Sequence, residues 1–190
     1  NTPFSLALKD SDAVMQAVLG TDKKISDSDG NTPIHIIVSG KGSIAMLSKL
    51  VHSGYPFDTR NADGYTPLTI AVESNSAAEA KLLLESGANP FIMIDKKGKN
   101  AASIALEKKN MTILASIVKN AGKTSDIQGN TILHYAARTA DAGTIKKLLS
   151  YGLDTNVKNI SGETPHMIAI RWKHADSAEL LIPKPMDAVK

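Results

Sequence analysis

Ala121-Gly122-Lys123-Thr124 contains Gly-Lys-Thr, the end of a phosphate-binding loop in which backbone N–H groups and a lysine cradle the phosphates of a nucleotide. Such a loop also requires a glycine at position 117, and that residue is isoleucine. It should follow a strand, whereas this stretch follows an apolar run of helical spacing, so no nucleotide site is expected. Ser39-Gly40-Lys41-Gly42-Ser43 fails as well, because a glycine separates its lysine from the serine. Of the five histidines, His52, His166 and His174 lack the His-x-x-x-His or His-Glu spacing that would place two ligands on one metal. No serine or carboxylate pair stands out as a nucleophile or acid–base couple. We therefore expect no cofactor, no metal and no enzymatic activity.

Charge is more local than the formal net +3 suggests. Between Lys96 and Ser125 stand seven lysines (96, 97, 99, 108, 109, 119 and 123) against one acid, Glu107, so this segment carries +6 and the remainder −3. Lys108, Lys109 and Lys119 fall where helices should end, and a cation there complements the helix dipole. Lys96, Lys97 and Lys99 instead surround a turn. The chain has no cysteine, which excludes disulfides and thiolate chemistry. It has no apolar run near the roughly 20 residues of a membrane span. Aromatics make up only 4% of the chain, consistent with cores built from alanine, leucine and isoleucine.

The elements that would position these residues recur along the chain. In Asp126-Ile-Gln-Gly-Asn-Thr-Ile-Leu-His-Tyr-Ala-Ala137, Gly129 can take the positive φ of a tight turn and Thr131 can cap a helix. His134 falls where a polar side chain can reach back to that cap. The pattern returns at Gly30-Asn-Thr-Pro-Ile-His35, Gly64-Tyr-Thr-Pro-Leu-Thr69 and Gly162-Glu-Thr-Pro-His-Met167, with a decayed copy at Gly98-Lys-Asn-Ala-Ala-Ser103. Successive glycines lie 34, 34, 31 and 33 residues apart. A repeat of this length opening Gly-x-Thr-Pro-Leu-His resembles the ankyrin repeat, and the resemblance covers essentially the whole chain.

The resemblance implies an all-α solenoid of stacked helix-turn-helix repeats joined by short β-hairpins, forming one domain over 1–190. Residues 1–26 read as a partial repeat, with one helix opened by Thr2-Pro3 and a second from about Asp12 to Leu19. The hairpin that should precede Thr2 is missing, so further chain upstream is expected. Full repeats are expected over 27–60, 61–94, 95–125 and 126–159, and a C-terminal one over 160–190. Ser43 and Ser76 are candidate caps for second helices, Ser76 with Glu79 as a capping box. Ile37 stands where the family usually has alanine, which predicts locally adjusted packing. The 95–125 copy is the least regular. Asn100-Ala101 replaces Thr-Pro there and Ser103 replaces the histidine, so restoring Thr-Pro is expected to stabilise the array by about 1 kcal/mol.

Family members bind protein partners through hairpin tips and the exposed end of the first helix, which line a concave face. Carried over residue by residue, those places hold Arg60 and Tyr65, then Lys96, Lys97, Lys99 and Lys108, then Arg138 and Lys158, then Arg171 and Trp172. The acids Asp63 and Glu73 share the same surface. His35 and His134 occupy the repeat's own histidine position, where the ring ties turn to helix. The function implied is non-enzymatic recognition of a protein partner, unidentified, by a monomer. Two other classes stay open at this point: an anionic ligand (nucleic acid or acidic lipid) on the 96–123 lysine cluster, and the recognition arm of a larger enzyme. Aromatic stacking residues are scarce beside the lysines, which argues against single-stranded nucleic acid.

Overall fold

Each connecting turn begins with an aspartate or asparagine whose side chain folds back onto its own backbone. In the computed structural model, which describes residues 25–41, 43–139 and 141–183, Asp27 Oδ1 accepts from the N–H groups of Asp29 and Asn31 at 3.0 and 2.8 Å. Asp126 does the same with Gln128 and Asn130, both at 2.8 Å. Asn61 and Asp95 repeat the arrangement, and Asn159 accepts from Glu163 N–H. A glycine at positive φ closes each turn. At Gly30 and Gly64 it also makes room: a Cβ would lie 2.9 Å from Ala62 N and 2.8 Å from Ile94 O. The expected hairpins are thus tight turns, each held by two backbone bonds (Asp27 N–H to Asn31 O and Gly30 N–H to Asp27 O in the first), with no strand among the described residues. Of the partial repeat expected over residues 1–26, all but the last two residues lie outside the described residues, as does the tail after Pro183.

The chain divides into two units, residues 1–104 and 105–190. In the first, α1 (Pro33–Ile36) runs into a π-helical turn (Ile37–Lys41) and is followed by α2 (Ile44–His52), α3 (Pro67–Glu73) and α4 (Ala77–Glu85). The division falls within α5 (Ala101–Glu107). The second unit continues with α6 (Met111–Ala121), α7 (Ile132–Thr139), α8 (Ala142–Leu149), α9 (Pro165–Arg171) and α10 (Ala175–Leu180). First helices stack on first helices (α1 with α3, α7 with α9), and second helices on second (α2 with α4, α8 with α6 and α10). Leu47, Leu68 and Leu83 are fully buried in one unit, and Ile113, Ile117, Ile132 and Ile145 in the other. Apolar area removed from water at roughly 25 cal/mol per Å² is the main stabilising term in such stacks.

The fifth residue after each cap sets how closely neighbouring first helices approach. Ala71, Ala105, Ala136 and Ala169 hold this place and are at most 1% exposed. In the first repeat the position is Ile37. There the α-helix stops after Ile36, the chain widens into the π turn, and Gly40 takes φ +87. The adjusted packing expected at Ile37 takes this form, since the branched side chain needs space that a methyl group does not.

Buried histidines join one repeat to the next. His35 Nδ1 accepts from Thr32 N–H at 3.1 Å and lies 2.8 Å from Thr32 Oγ1. Its proton is therefore on Nε2, which donates to the Tyr65 carbonyl at 3.0 Å. His134 makes the same contacts with Thr131 and with the Glu163 carbonyl, 29 residues ahead. The other histidines are pegs on carbonyls. His166 holds Ala178 O at 2.8 Å and His174 holds Ala137 O at 3.0 Å. In the 61–94 repeat Thr69 replaces the histidine, and its hydroxyl serves only its own cap at Thr66.

Two expectations about caps change. Asn100, fully buried, already forms a reciprocal cap: its Oδ1 accepts from Ser103 N–H at 2.9 Å and Ser103 Oγ accepts from Asn100 N–H at 3.0 Å. Its amide also donates to Gly98 O at 3.3 Å, a bond threonine could not make. The reason for restoring threonine at position 100 disappears. Ser76, conversely, caps nothing through its side chain. At ψ 78° its short side chain falls short of the helix N–H groups, whereas the longer Asn110 and Asp141 reach theirs at ψ 90° and 105°.

Two predictions follow from these contacts. Asn100→Ala is expected to cost about 2 kcal/mol and Ser76→Ala less than about 0.5 kcal/mol in urea unfolding; equal losses would contradict the cap assignment. The second concerns pH. Burial holds the His35 and His134 imidazoles below their ordinary value of 6.5, against the opposing pull of the carbonyl bonds and of the Asp27, Asp126 and Glu163 carboxylates. The unfolded chain then binds more protons than the folded one just below pH 6.5, so stability rises with pH there. It should be full above that value and fall on acidification toward about pH 5, before most carboxylates titrate. His134→Gln should show a shallower slope in this window, and an unchanged slope would exclude the histidine as its source.

Candidate functional site

Tyr135 and Arg138 lie one turn apart on α7, and this places the guanidinium over the phenol ring. The Arg138 guanidinium carbon is 5.9 Å from the Tyr135 ring centroid and 5.6 Å from that of Trp172, which terminates α9. Both distances lie within cation–π range. The Tyr135 ring is buried, and its hydroxyl donates to Asp126 Oδ2 at 2.8 Å. Asp126 is the aspartate that shapes the preceding turn, so turn, tyrosine and arginine form one connected assembly. Trp172 is 50% exposed.

Arg171 holds the place in α9 that Arg138 holds in α7, but its surroundings differ. The residue before the Thr164 cap is Glu163, and Arg171 grips both its oxygens, Nη1 to Oε1 at 2.8 Å and Nη2 to Oε2 at 3.1 Å. The corresponding residue in the α7 repeat is Asn130, a neutral amide that offers Arg138 no carboxylate. Asn130 Oδ1 instead accepts from Asn159 Nδ2 at 2.9 Å, tying the two turns together. Between these turns and helices lies an open cavity of about 660 Å³ lined by Gln128, Asn130, Arg138, Asn159, Glu163 and Trp172, with Arg171 at its edge.

Of the residues expected to bind a partner, Arg138, Arg171 and Trp172 thus surround one cavity in the 105–190 unit. Lys158 is exposed immediately before Asn159, and Lys108 is exposed just after α5. Arg60, Tyr65, Lys96, Lys97 and Lys99 belong to the other unit. Arg60, Lys96 and Lys97 are exposed, the last two on the Asp95–Gly98 turn, and Tyr65 is half-buried with its backbone tied to Asn61 and His35. The lysine cluster is partly neutralised. Lys99 pairs with Glu73 at 2.8 Å and Lys109 with Asp141 at 2.7 Å, and the Lys109 hydrogen bond holds the Asp141 carboxyl below its ordinary value.

Sequence reasoning passed over Ile127 and Ile160. Each follows the residue that opens its turn, and each is 77% exposed. The Ile160 N–H donates to Gln128 O at 2.8 Å, so the two tips are adjacent. Isoleucine at the second place of consecutive turns, where lysine, alanine and serine stand in the others, was the available signal. Among the described residues no group of three or more His, Asp or Glu could hold a metal, and no helix is long and apolar enough to cross a membrane.

The helix pairs, turns and histidine ties define a class of repeat protein, and the chain belongs to the ankyrin-repeat family. The family profile for three tandem ankyrin repeats matches residues 4–94, 81–159 and 103–190. The human B-cell lymphoma 3 protein is 33% identical over 156 residues, 76% of this chain and 34% of that protein. Mouse Rabankyrin-5 is 29% identical over 143 residues, 72% of this chain and 12% of that protein. The chain therefore spans about a third or less of these relatives' own length. Among solved structures, the ankyrin repeat domain of Bcl-3 superposes with a TM-score of 0.70 at 25% identity, covering 95% of this chain and 82% of that one. Ankyrin repeats are in general non-enzymatic modules of protein–protein interaction.

The ionic contacts of the site stand on the surface, which bounds their energy. Arg171→Ala should change stability by less than about 1 kcal/mol, as exposed ion pairs do, and Arg138→Ala by about 1 kcal/mol or less. Thermal unfolding of both variants checks this. A loss of several kcal/mol at either position would assign it to the scaffold rather than to recognition.

Proposed function

We propose that this chain is a non-catalytic recognition module that acts as a monomer and holds a protein partner across its turn tips and first-helix ends. The observation that carries the reading is Arg138 held between Tyr135 and Trp172 at the rim of the 660 Å³ cavity. Arginine and tryptophan are enriched among the residues that dominate binding energy at protein interfaces, and here both are exposed side by side next to the buried Tyr135 ring. Arg171 and Lys158 extend this contact set in the 105–190 unit, and Lys108 is an outlying member. Arg60, Tyr65, Lys96, Lys97 and Lys99 form the contact set of the 1–104 unit. The pairing of Lys99 and Lys109 with carboxylates reduces the cationic field available to a polyanion.

The test is affinity capture from the source organism's extract with three baits, in parallel with titration against duplex DNA and acidic vesicles. The wild-type chain should retain a partner that Arg138→Ala with Trp172→Ala loses, each substitution costing about 2 kcal/mol where it is a hot spot. Lys96→Glu with Lys97→Glu should mainly slow association, as rim charges do. Binding to DNA or acidic vesicles at physiological salt that disappears with the two lysines would overturn the proposal.

A further inference from the structure

Two arginines at equivalent places in consecutive repeats face the same cavity, yet only Arg171 has a carboxylate. Glu163, the one acid lining that cavity, is engaged through both oxygens by Arg171. The Arg138 guanidinium carbon stands 5.9 and 5.6 Å from the Tyr135 and Trp172 ring centroids, and an aromatic ring gives its N–H groups no anionic acceptor. The exposed fork is thus attracted to the rings without meeting a carboxylate. A carboxylate can accept two parallel N–H bonds from such a fork, and charge-assisted bonds of this kind are about twice as strong as neutral ones. The neutral amides Gln128, Asn130 and Asn159 line the same cavity and supply no competing anion. Alongside, Ile127 and Ile160 present adjacent apolar tips, each 77% exposed. A cation awaiting an anion, beside apolar side chains awaiting cover, specifies a segment that carries both complements.

We infer that the 105–190 unit binds an extended acidic–hydrophobic segment of a partner protein, one carboxylate seated on Arg138 and an aliphatic or aromatic side chain covering Ile127 and Ile160. The inference rests on the recognition reading above and gives its partner a chemistry. Glu163 limits the site, because its charge uses up Arg171 and would repel a second incoming carboxylate.

Trp172 is the chain's only tryptophan, so its emission reports on this cavity alone. The probe is a blocked hexapeptide, Leu-Glu-Leu-Asp-Leu-Glu, titrated against its isosteric amide Leu-Gln-Leu-Asn-Leu-Gln. We expect a saturable change in emission, at least about tenfold tighter for the acidic peptide, with the difference shrinking as salt rises. Arg138→Gln should abolish the preference with the melting temperature unchanged, and Glu163→Gln, which frees Arg171, should tighten acidic binding about threefold or more. Ile127→Ser with Ile160→Ser should weaken both peptides alike. The inference falls if the acidic peptide gives no saturable response, if the two peptides bind within twofold of each other, or if Arg138→Gln keeps the preference. Equal binding of both peptides that is lost in Trp172→Ala, followed by calorimetry, would leave the recognition module standing while removing its acidic preference. A captured partner indifferent to Arg138 and Trp172 together would remove both.

Discussion

An imidazole with room for one proton and not two holds this structure together. At His35 and His134 the Nδ1 atom must accept from the threonine N–H behind it so that Nε2 can donate to a carbonyl in the next repeat. Both rings are essentially inaccessible to solvent. A second proton would face a backbone N–H across the same short gap, in a medium that disfavours charge. Turn, helix start and neighbouring repeat are thereby fixed by one neutral side chain. The threonine cap gives the helix its origin, the ring sets the distance to the next turn, and the apolar stack fills in behind.

The turns supply the complementary constraint. An aspartate or asparagine binds its own following N–H groups, a glycine at positive φ closes the loop, and the tips then join through amide pairs such as Asn61 with Asn31 and Asn159 with Asn130. Side-chain amides and carboxylates are worth their conformational cost here because they satisfy backbone groups that no strand among the described residues satisfies. Asn130 and Asn159 also line the cavity beside Arg138, so there the scaffold supplies part of the proposed recognition surface.

Much of this architecture is legible in the sequence because it is local. The Thr-x-x-His spacing predicts the cap, Thr-Pro marks helix starts, and the glycine period fixes the repeat. Asn100 with Ser103 shows where pattern reading was too literal: the residue types departed from the family, but an amide oxygen and a serine hydroxyl perform the same reciprocal capping. Ser76 shows the reverse, a matching residue whose backbone angle leaves it idle. The candidate site is less legible. Tyr135 and Arg138 are neighbours on a helix and could have been paired from their spacing, but Trp172 comes from the following repeat, and only packing brings its ring to the same guanidinium. The different fates of Arg138 and Arg171 turn on whether Asn130 or Glu163 precedes the cap, a contrast that acquires meaning only once the side chains are placed.

The histidine ties have one further property. Each ends on a main-chain carbonyl, and the residues that own those carbonyls, Tyr65 and Glu163, share no side-chain chemistry. The joint between repeats reads backbone and ignores identity at a position whose side chain is half-buried in both repeats and, at Glu163, lines the cavity. An aromatic and an acidic residue therefore serve the same joint in this one chain. The main-chain oxygen of the residue before the cap serves the stack, and its side chain is left out of that bond, as the Glu163 carboxylate, engaged by Arg171 instead, illustrates.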